Sequence, residues 1–140
     1  MGLILDTSLI IGQERRRFDL RSFLEKHSSE TPYLTTITVS ELLHGVERAD
    51  TEERAKKRSD NIEKLIQNLT VLPFDLTQAR RHAQIWAHLE KQGNLIGPYD
   101  LLISAAGLAT NNAVATLNPS EFSRVPNLSV INATPFRIER

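Results

Sequence analysis

Acidic side chains at strand ends are the part of this sequence best suited to chemistry. Four of them stand at the end of a predicted strand or in the first turns of a predicted helix. They are Asp6, Glu41, Asp100 and Glu121. In a parallel sheet the carboxyl ends of the strands meet at one edge, where ligands bind. Distant segments of the chain would therefore bring carboxylate oxygens to one place.

Clustered carboxylates need a compensating charge, because like charges repel and raise one another's pKa. A divalent cation supplies that charge, and Mg²⁺ and Mn²⁺ prefer carboxylate and water oxygens. Two such ions about 4 Å apart can activate water and stabilise the leaving oxygen of a phosphodiester. The pattern thus predicts metal-dependent hydrolysis in which no protein side chain acts as the nucleophile.

Each acid also has a simpler explanation. Thr38 and Glu41 fit a capping box at a helix N-terminus. Asp6 could cap the helix that follows it. Asp100 could complement a helix dipole, and Glu121 could be an ordinary surface residue. None of these roles excludes metal binding.

The elements that must position the acids alternate between short β-like runs and longer helical patterns, which favours a parallel sheet with helical crossovers. We expect one α/β domain over residues 1–140, a three-layer α/β/α arrangement around a central, mostly parallel sheet of four to five strands. The predicted strands are 2–5, 32–37, 71–75, 113–117 and 128–131. The predicted helices are 9–26, 52–69, 77–92 and 99–110, with a further helix capped by Thr38.

Composition narrows the class of protein. The chain has 140 residues, is 40% hydrophobic and carries 17 basic and 17 acidic residues, so its formal net charge is zero. A dedicated non-specific nucleic-acid binder would usually be basic, although a neutral total permits a local basic patch. The sequence has no cysteine and no apolar run long enough to span a bilayer. We expect a cytoplasmic protein that does not associate with membranes.

Four segments together carry a family resemblance. They are "LILDTSLII", "TTITVSELLHGVERA", "GNLIGPYDLLISAAGLATN" and "AVATLNPSEFSRVPNLSV". In this order and spacing they resemble PIN-domain ribonucleases, specifically the VapC-type toxins of bacterial toxin–antitoxin pairs. The resemblance covers nearly the whole chain.

The resemblance implies an endoribonuclease that depends on Mg²⁺ or Mn²⁺ and cleaves RNA by a two-metal type of water attack, leaving 5′-phosphate and 3′-hydroxyl ends. Asp6, Glu41 and Asp100 match the three principal acids of the family. The fourth position is open between Glu121, which precedes an aromatic residue, and Asn118, where some members carry Asp. We assign the fourth acid to Glu121.

Further residues are expected to support these acids or to contact the substrate. Ser8, Thr116 and Asn118 are the polar candidates, and Arg15, Arg16 and Arg17 are the candidate contacts for RNA phosphates. A simpler interpretation is that the three arginines lie on the solvent-exposed face of a helix.

The resemblance also implies partners. A small VapB-like antitoxin would wrap the toxin and block its site, and relatives commonly pair as homodimers. Trp86 lies on the apolar stripe of its predicted helix, so we expect it in the core or at the dimer interface rather than stacked on a base.

Two other functions compete. A catalytically silent PIN-like module could bind RNA or protein, and the missing aspartate at Asn118 keeps that possibility open. A phosphotransfer receiver domain would need paired acids after the first strand and a late lysine. Only Asp6 follows the first strand, and no lysine occurs after Lys91.

Overall fold

Five short parallel strands form the centre of the protein in a computed structural model, which describes residues 2–139. The strands are β1 (Gly2–Leu5), β2 (Thr31–Thr35), β3 (Thr70–Leu72), β4 (Ala113–Thr116) and β5 (Val130–Asn132). They are ordered β3-β2-β1-β4-β5, so β1 is the central strand. All four strand pairs are parallel. The predicted parallel α/β sheet is confirmed.

Helices cover both faces of this sheet. They are α1 (Thr7–Glu14), α2 (Leu20–Lys26), α3 (Thr36–Glu47), α4 (Glu52–Asn68), α5 (Leu76–Lys91), α6 (Pro98–Thr110) and the single turn α7 (Pro119–Phe122), with a 3₁₀ turn at Thr134–Phe136. Among residues 2–139, no helix combines the length and apolar character needed to cross a membrane.

The alternation of side chains along β1 builds two cores. Leu3 and Leu5 belong to the larger core, which α1 to α4 close on one face. Ile4 points the other way, into a core with Ile103 of α6 and Phe122 of α7. This period of two is what a strand buried on both faces requires.

The helix predicted over residues 9–26 is wrong, because the chain breaks between α1 and α2. Arg16 adopts a left-handed conformation with φ of 58°. The amide of Arg17 donates to the carbonyl of Gly12, and that of Arg16 donates to Gln13. This is the Schellman pattern of helix termination, which usually has glycine at the left-handed position. It turns Phe18 back against Gly12, where an added Cβ would lie 2.9 Å from the Cβ of Phe18.

The predicted second strand is also too long. β2 ends at Thr35, and α3 begins at Thr36, two residues before the cap that the sequence suggested. The capping residue is Thr35, whose hydroxyl accepts a hydrogen bond from the amide of Thr38 at 3.0 Å. The assignment of Thr38 as the cap is therefore wrong.

Candidate active site

Asp6 is held at the carboxyl end of the central strand. It is 3% exposed, and the hydroxyls of Ser8 and Thr116 each donate to its Oδ2 at 2.7 Å. It stands at the N-cap position of α1 but makes no capping hydrogen bond. Burial raises the pKa of Asp6, and the two hydroxyl donors oppose that rise. Both hydroxyls bind one oxygen, which leaves Oδ1 free of them.

Glu41 approaches the same end of β1 from the second turn of α3. Because Thr35 is the cap, Glu41 is not the third helical residue and the capping-box explanation for it is wrong. Its Oε1 instead accepts a hydrogen bond from the hydroxyl of Thr7 at 2.8 Å. Burial raises the pKa of Glu41, and the neighbouring charge of Asp6 adds to the rise.

Three buried threonine hydroxyls form a relay that ends on Glu41. The Oγ1 atoms of Thr7 and Thr38 lie 3.0 Å apart, and those of Thr38 and Thr35 lie 3.3 Å apart. Each hydroxyl has a single proton. Since the proton of Thr7 goes to the carboxylate, Thr38 must donate to Thr7 and Thr35 to Thr38. The relay joins β2 and α3 to the start of α1 and fixes one oxygen of Glu41.

Asp100 and Glu121 complete the acidic group. Asp100 lies in the first turn of α6 and Glu121 in α7. The pKa of Asp100 is raised to about 8, first by burial, then by a hydrogen bond with Glu121 and by the charges of Asp6, Glu121 and Glu41. A hydrogen bond between two carboxyl groups requires a proton on one of them. The structure therefore brings all four predicted acids within electrostatic reach of one another.

Within residues 2–139, no basic side chain forms an ion pair with this group. Among the same residues, no group of three or more His, Cys, Asp or Glu side chains is already arranged to hold a metal ion. Like charges oppose closer approach until a cation binds. The donor set of carboxylate and hydroxyl oxygens, and the lack of any ion pair, fit a hard divalent cation.

Of the predicted polar residues, two bind an acid through their side chains and one does not. Ser8 and Thr116 support Asp6, as described above. Asn118 is exposed, and its contact with this group is through its backbone, whose amide donates to Oγ1 of Thr116 at 2.9 Å. The structure thus favours Glu121 over Asn118 as a neighbour of Asp100.

The three arginines separate in space. Arg15 lines a cleft that Glu41 also lines. Arg16 lines a neighbouring cavity between α1 and α4 that Glu41 does not reach. Arg17 lines neither of these, and its carbonyl accepts a hydrogen bond from the amide of Ile138. All three are exposed, but only Arg15 shares a cleft with a candidate acid.

Sequence reasoning missed Thr7, Thr38 and Thr35 as supports of the site. The signal available was the run of hydroxyl residues at both predicted strand ends, "DTS" and "TTIT". Their pairing depends on β1 and β2 being neighbours, with Ile4 opposite Tyr33. That register cannot be read from either segment alone.

A protein family and individual relatives both match most of this chain. A family model described as PIN domain matches residues 3–128. A ribonuclease VapC of Rickettsia bellii (strain RML369-C) is 35% identical over 131 residues, which is 94% of this chain and 96% of that protein. A tRNA(fMet)-specific endonuclease VapC of Salmonella typhimurium is 33% identical over 97 residues, 69% of this chain and 71% of that one.

Solved structures share the fold. A chain of the VapBC2 structure from Rickettsia felis, bound to a DNA fragment from its promoter, superposes with a TM-score of 0.83 at 26% identity, covering 94% of this chain and 98% of that one. A chain of DNA-bound VapBC from Salmonella typhimurium gives 0.82 at 28% identity, with the same coverage of both chains.

Proposed function

The chain belongs to the PIN-domain family, and from that premise we propose that it is a metal-dependent endoribonuclease toxin held inactive by a cognate antitoxin. The observation that carries the proposal is the group of four carboxylates at the carboxyl edge of the parallel sheet, which forms no ion pair with a basic side chain of the described residues. The similarity to proteins named ribonuclease VapC supports the substrate class. A catalytically silent binding module is not favoured, because the acids and their supporting hydroxyls are all in place.

Asp6, Glu41, Asp100 and Glu121 are the residues that would hold Mg²⁺ or Mn²⁺. A bound divalent cation supplies an activated water and stabilises charge on the leaving oxygen. Asp6 and Glu41 are oriented by their hydroxyl donors, which oppose the rise in pKa that burial causes. Metal binding at Asp100, whose pKa is raised to about 8, would displace the proton on that carboxyl group, because a cation and a proton compete for the same oxygens.

Ser8 and Thr116 act as positioning residues for Asp6, and Thr7 acts in the same way for Glu41. Asn118 is a candidate substrate contact, since its side chain is exposed beside the acidic group. Of the three arginines, Arg15 has the best position to contact an RNA phosphate, and Arg16 and Arg17 are further candidates. Residues 1–140 act as one domain, since one sheet joins β1 near the N-terminus to β5 at residues 130–132.

The proposed partners are a VapB-like antitoxin and a second copy of this chain. The similarity to chains of VapBC structures, one of which from Mycobacterium tuberculosis is described as a member of the VapBC family of toxin-antitoxin systems, supports the first. For the second, Trp86 was expected in the core or at the dimer interface. It is 49% exposed, so the core is wrong and the dimer interface stays a prediction. It stacks on His82, which packs against Phe74, and exposed Leu76 begins the same helix. This aromatic strip supports a homodimer. RNA as substrate places the toxin in the cytoplasm.

Controlled expression in a bacterial host tests the toxin assignment. Wild-type protein should stop growth and fragment cellular RNA, whereas Asp100→Asn should do neither at equal protein levels. Co-expression of a cognate VapB-like antitoxin, sought as a short reading frame next to this one, should restore growth. Equal growth of cells expressing wild-type protein and Asp100→Asn would contradict the proposal.

A further inference from the structure

The cleft beside Glu41 continues into a groove with a basic lining. One cleft of about 380 Å³ and another of about 280 Å³ lie between α1, α3 and α4, and they share Glu14, Arg15 and Arg58. The two clefts therefore form one groove, with Glu41 at one end. We call it the basic groove. Its charged members are Arg15, Arg48, Arg54, Lys57 and Arg58, with Glu14 and Glu41.

The groove concentrates positive charge in a chain whose formal net charge is zero. Glu14 forms an ion pair with Arg58, in which Oε1 of Glu14 lies 2.8 Å from Nε of Arg58. Asp50, outside the groove, pairs with Arg54 at 2.9 Å. Arg15, Arg48 and Lys57 form no ion pair with the described residues. Three exposed cations of the groove thus have no ion-pair partner among the described residues, and two of them, Arg15 and Arg48, line the same cleft as Glu41.

Helix dipoles do not account for this arrangement. Arg15 and Arg48 stand at the C-caps of α1 and α3, where a cation is favourable. Arg54 and Lys57, however, lie in the first two turns of α4, where the same dipole disfavours a cation. The C-terminal ends of α1 and α3 and the start of α4 line the same groove. Arg54 already pairs with Asp50, and a ligand that carries negative charge would give a common reason for Arg15, Arg48 and Lys57.

Part of the groove wall is already fixed. Arg58 donates from Nε to Glu14 and from Nη1 to the carbonyl of Gly45 at 2.9 Å. These two bonds tie α4 to α1 and α3. The wall between Arg15 and Lys57 therefore exists before any ligand binds, which reduces the entropy lost on binding.

We infer that the basic groove binds the phosphates of an RNA strand next to the phosphate cleaved at the acidic group. This inference rests on the proposed function, which puts a phosphodiester at Glu41. Arg15 lines both clefts, whereas Glu41 lines only one and Lys57 only the other, so a strand that runs from Glu41 towards Lys57 passes Arg15. Successive backbone phosphates provide the repeated negative charge that the groove lacks.

Binding of a short fluorescent single-stranded RNA, followed by anisotropy across salt concentrations, tests the inference. Asp100→Asn serves as the background, so that the RNA is not cut. Arg15→Gln, Arg48→Gln and Lys57→Gln should each reduce the slope of log K against log salt by about 0.7, the value for one lost contact to a single strand. Arg80→Gln, an exposed arginine of α5 outside the groove, should leave the slope unchanged. The side chain of Lys57 makes no hydrogen bond with residues 2–139, so its variant keeps the test valid if another variant misfolds.

The possible outcomes distinguish failure of the groove inference from failure of the nuclease assignment. Unchanged slopes in all three variants would overturn the inference while RNA cleavage by the wild-type protein still stood. Reduced slopes in a protein that cleaves no RNA would support the groove and count against the nuclease. If the variants lose affinity for polyglutamate but not for RNA, the groove takes an acidic polypeptide and the inference is wrong.

Discussion

Thr7 donates a 2.8 Å hydrogen bond to Oε1 of Glu41 and so joins the start of α1 to the second turn of α3. Thr7 is 6% exposed, and the bond joins α1 and α3, the helices that follow the neighbouring strands β1 and β2. The carboxylate of Glu41 is thus oriented by a side chain adjacent to Asp6. The positions of Asp6 and Glu41 are therefore both set by residues at the carboxyl end of β1.

Thr7→Val should reduce RNA cleavage by roughly tenfold or more, because a hydrogen bond to a charged group contributes about 1.5–3 kcal/mol. Thr7→Ser keeps the hydroxyl and should restore most of the activity. Thr36→Val changes an exposed threonine at the start of α3, the helix that carries Glu41, and should have little effect. Initial rates at several Mn²⁺ concentrations measure this. Equal losses in Thr7→Val and Thr7→Ser would show that packing, and not the hydroxyl, matters.

The melting temperature in EDTA should fall as pH rises from about 4 to about 8. The folded chain keeps a proton on Asp100 up to a pKa of about 8, whereas the unfolded chain releases it near 3.8. The folded state binds more protons in that window, so stability decreases as pH increases. The raised pKa values of Asp6 and Glu41 act in the same direction.

Asp100→Asn should flatten this pH dependence and melt no lower than wild type at pH 8 in EDTA. Added Mn²⁺ should stabilise wild type, and more so at high pH, but should stabilise the variant little. If Asp100 only complemented the dipole of α6, its loss would cost about 0.3–1 kcal/mol. A variant that melts lower in EDTA and gains as much from Mn²⁺ as wild type would show that Asp100 is not a ligand.

Glu121→Gln should impair cleavage more than Asn118→Ala. The carboxylate of Glu121 interacts with Asp100, whereas the side chain of Asn118 is exposed and could offer only a neutral oxygen. Single-turnover rates across Mn²⁺ concentrations compare the two variants. A larger defect in Asn118→Ala would move the fourth ligand to that position.

Trp86→Ala should convert the proposed dimer to monomers, as measured by light scattering coupled to size exclusion. The aromatic strip would lose its largest exposed ring, and aromatic residues at the centre of an interface often contribute 2 kcal/mol or more. Leu43→Ala removes a side chain of similar exposure from α3 and should leave the dimer intact. A wild-type protein that is monomeric at micromolar concentration would contradict the proposed pairing.

Much of the fold was predictable because apolar runs in parallel strands are nearly continuous. Residues 2–5 and the helices over 52–68 and 76–91 follow directly from that pattern and from helical periodicity. The break after α1 was not predictable, since Arg16 takes a left-handed position that usually holds glycine. The start of α3 was ambiguous because Thr35, Thr36 and Thr38 can all cap a helix.

The four acids were predictable as a group from the rule that parallel strands end on one edge. Their supports were not, because they depend on side chains that meet only in three dimensions. Thr116 reaches Asp6 from β4, and Thr38 reaches Thr7 from α3. The charge of the basic groove was hidden for the same reason, since a neutral sequence does not show where its cations converge.

The most direct test of the central claim is cleavage of a single-stranded RNA by the purified protein in Mg²⁺, in Mn²⁺ and in EDTA, with Asp6→Asn as the matched control. We expect wild-type protein to cleave with either metal and leave 5′-phosphate and 3′-hydroxyl ends. EDTA should abolish the cleavage, and Asp6→Asn, which keeps the shape of the buried side chain but removes its charge, should be inactive throughout. Cleavage that continues undiminished in EDTA, or in Asp6→Asn, would contradict the account.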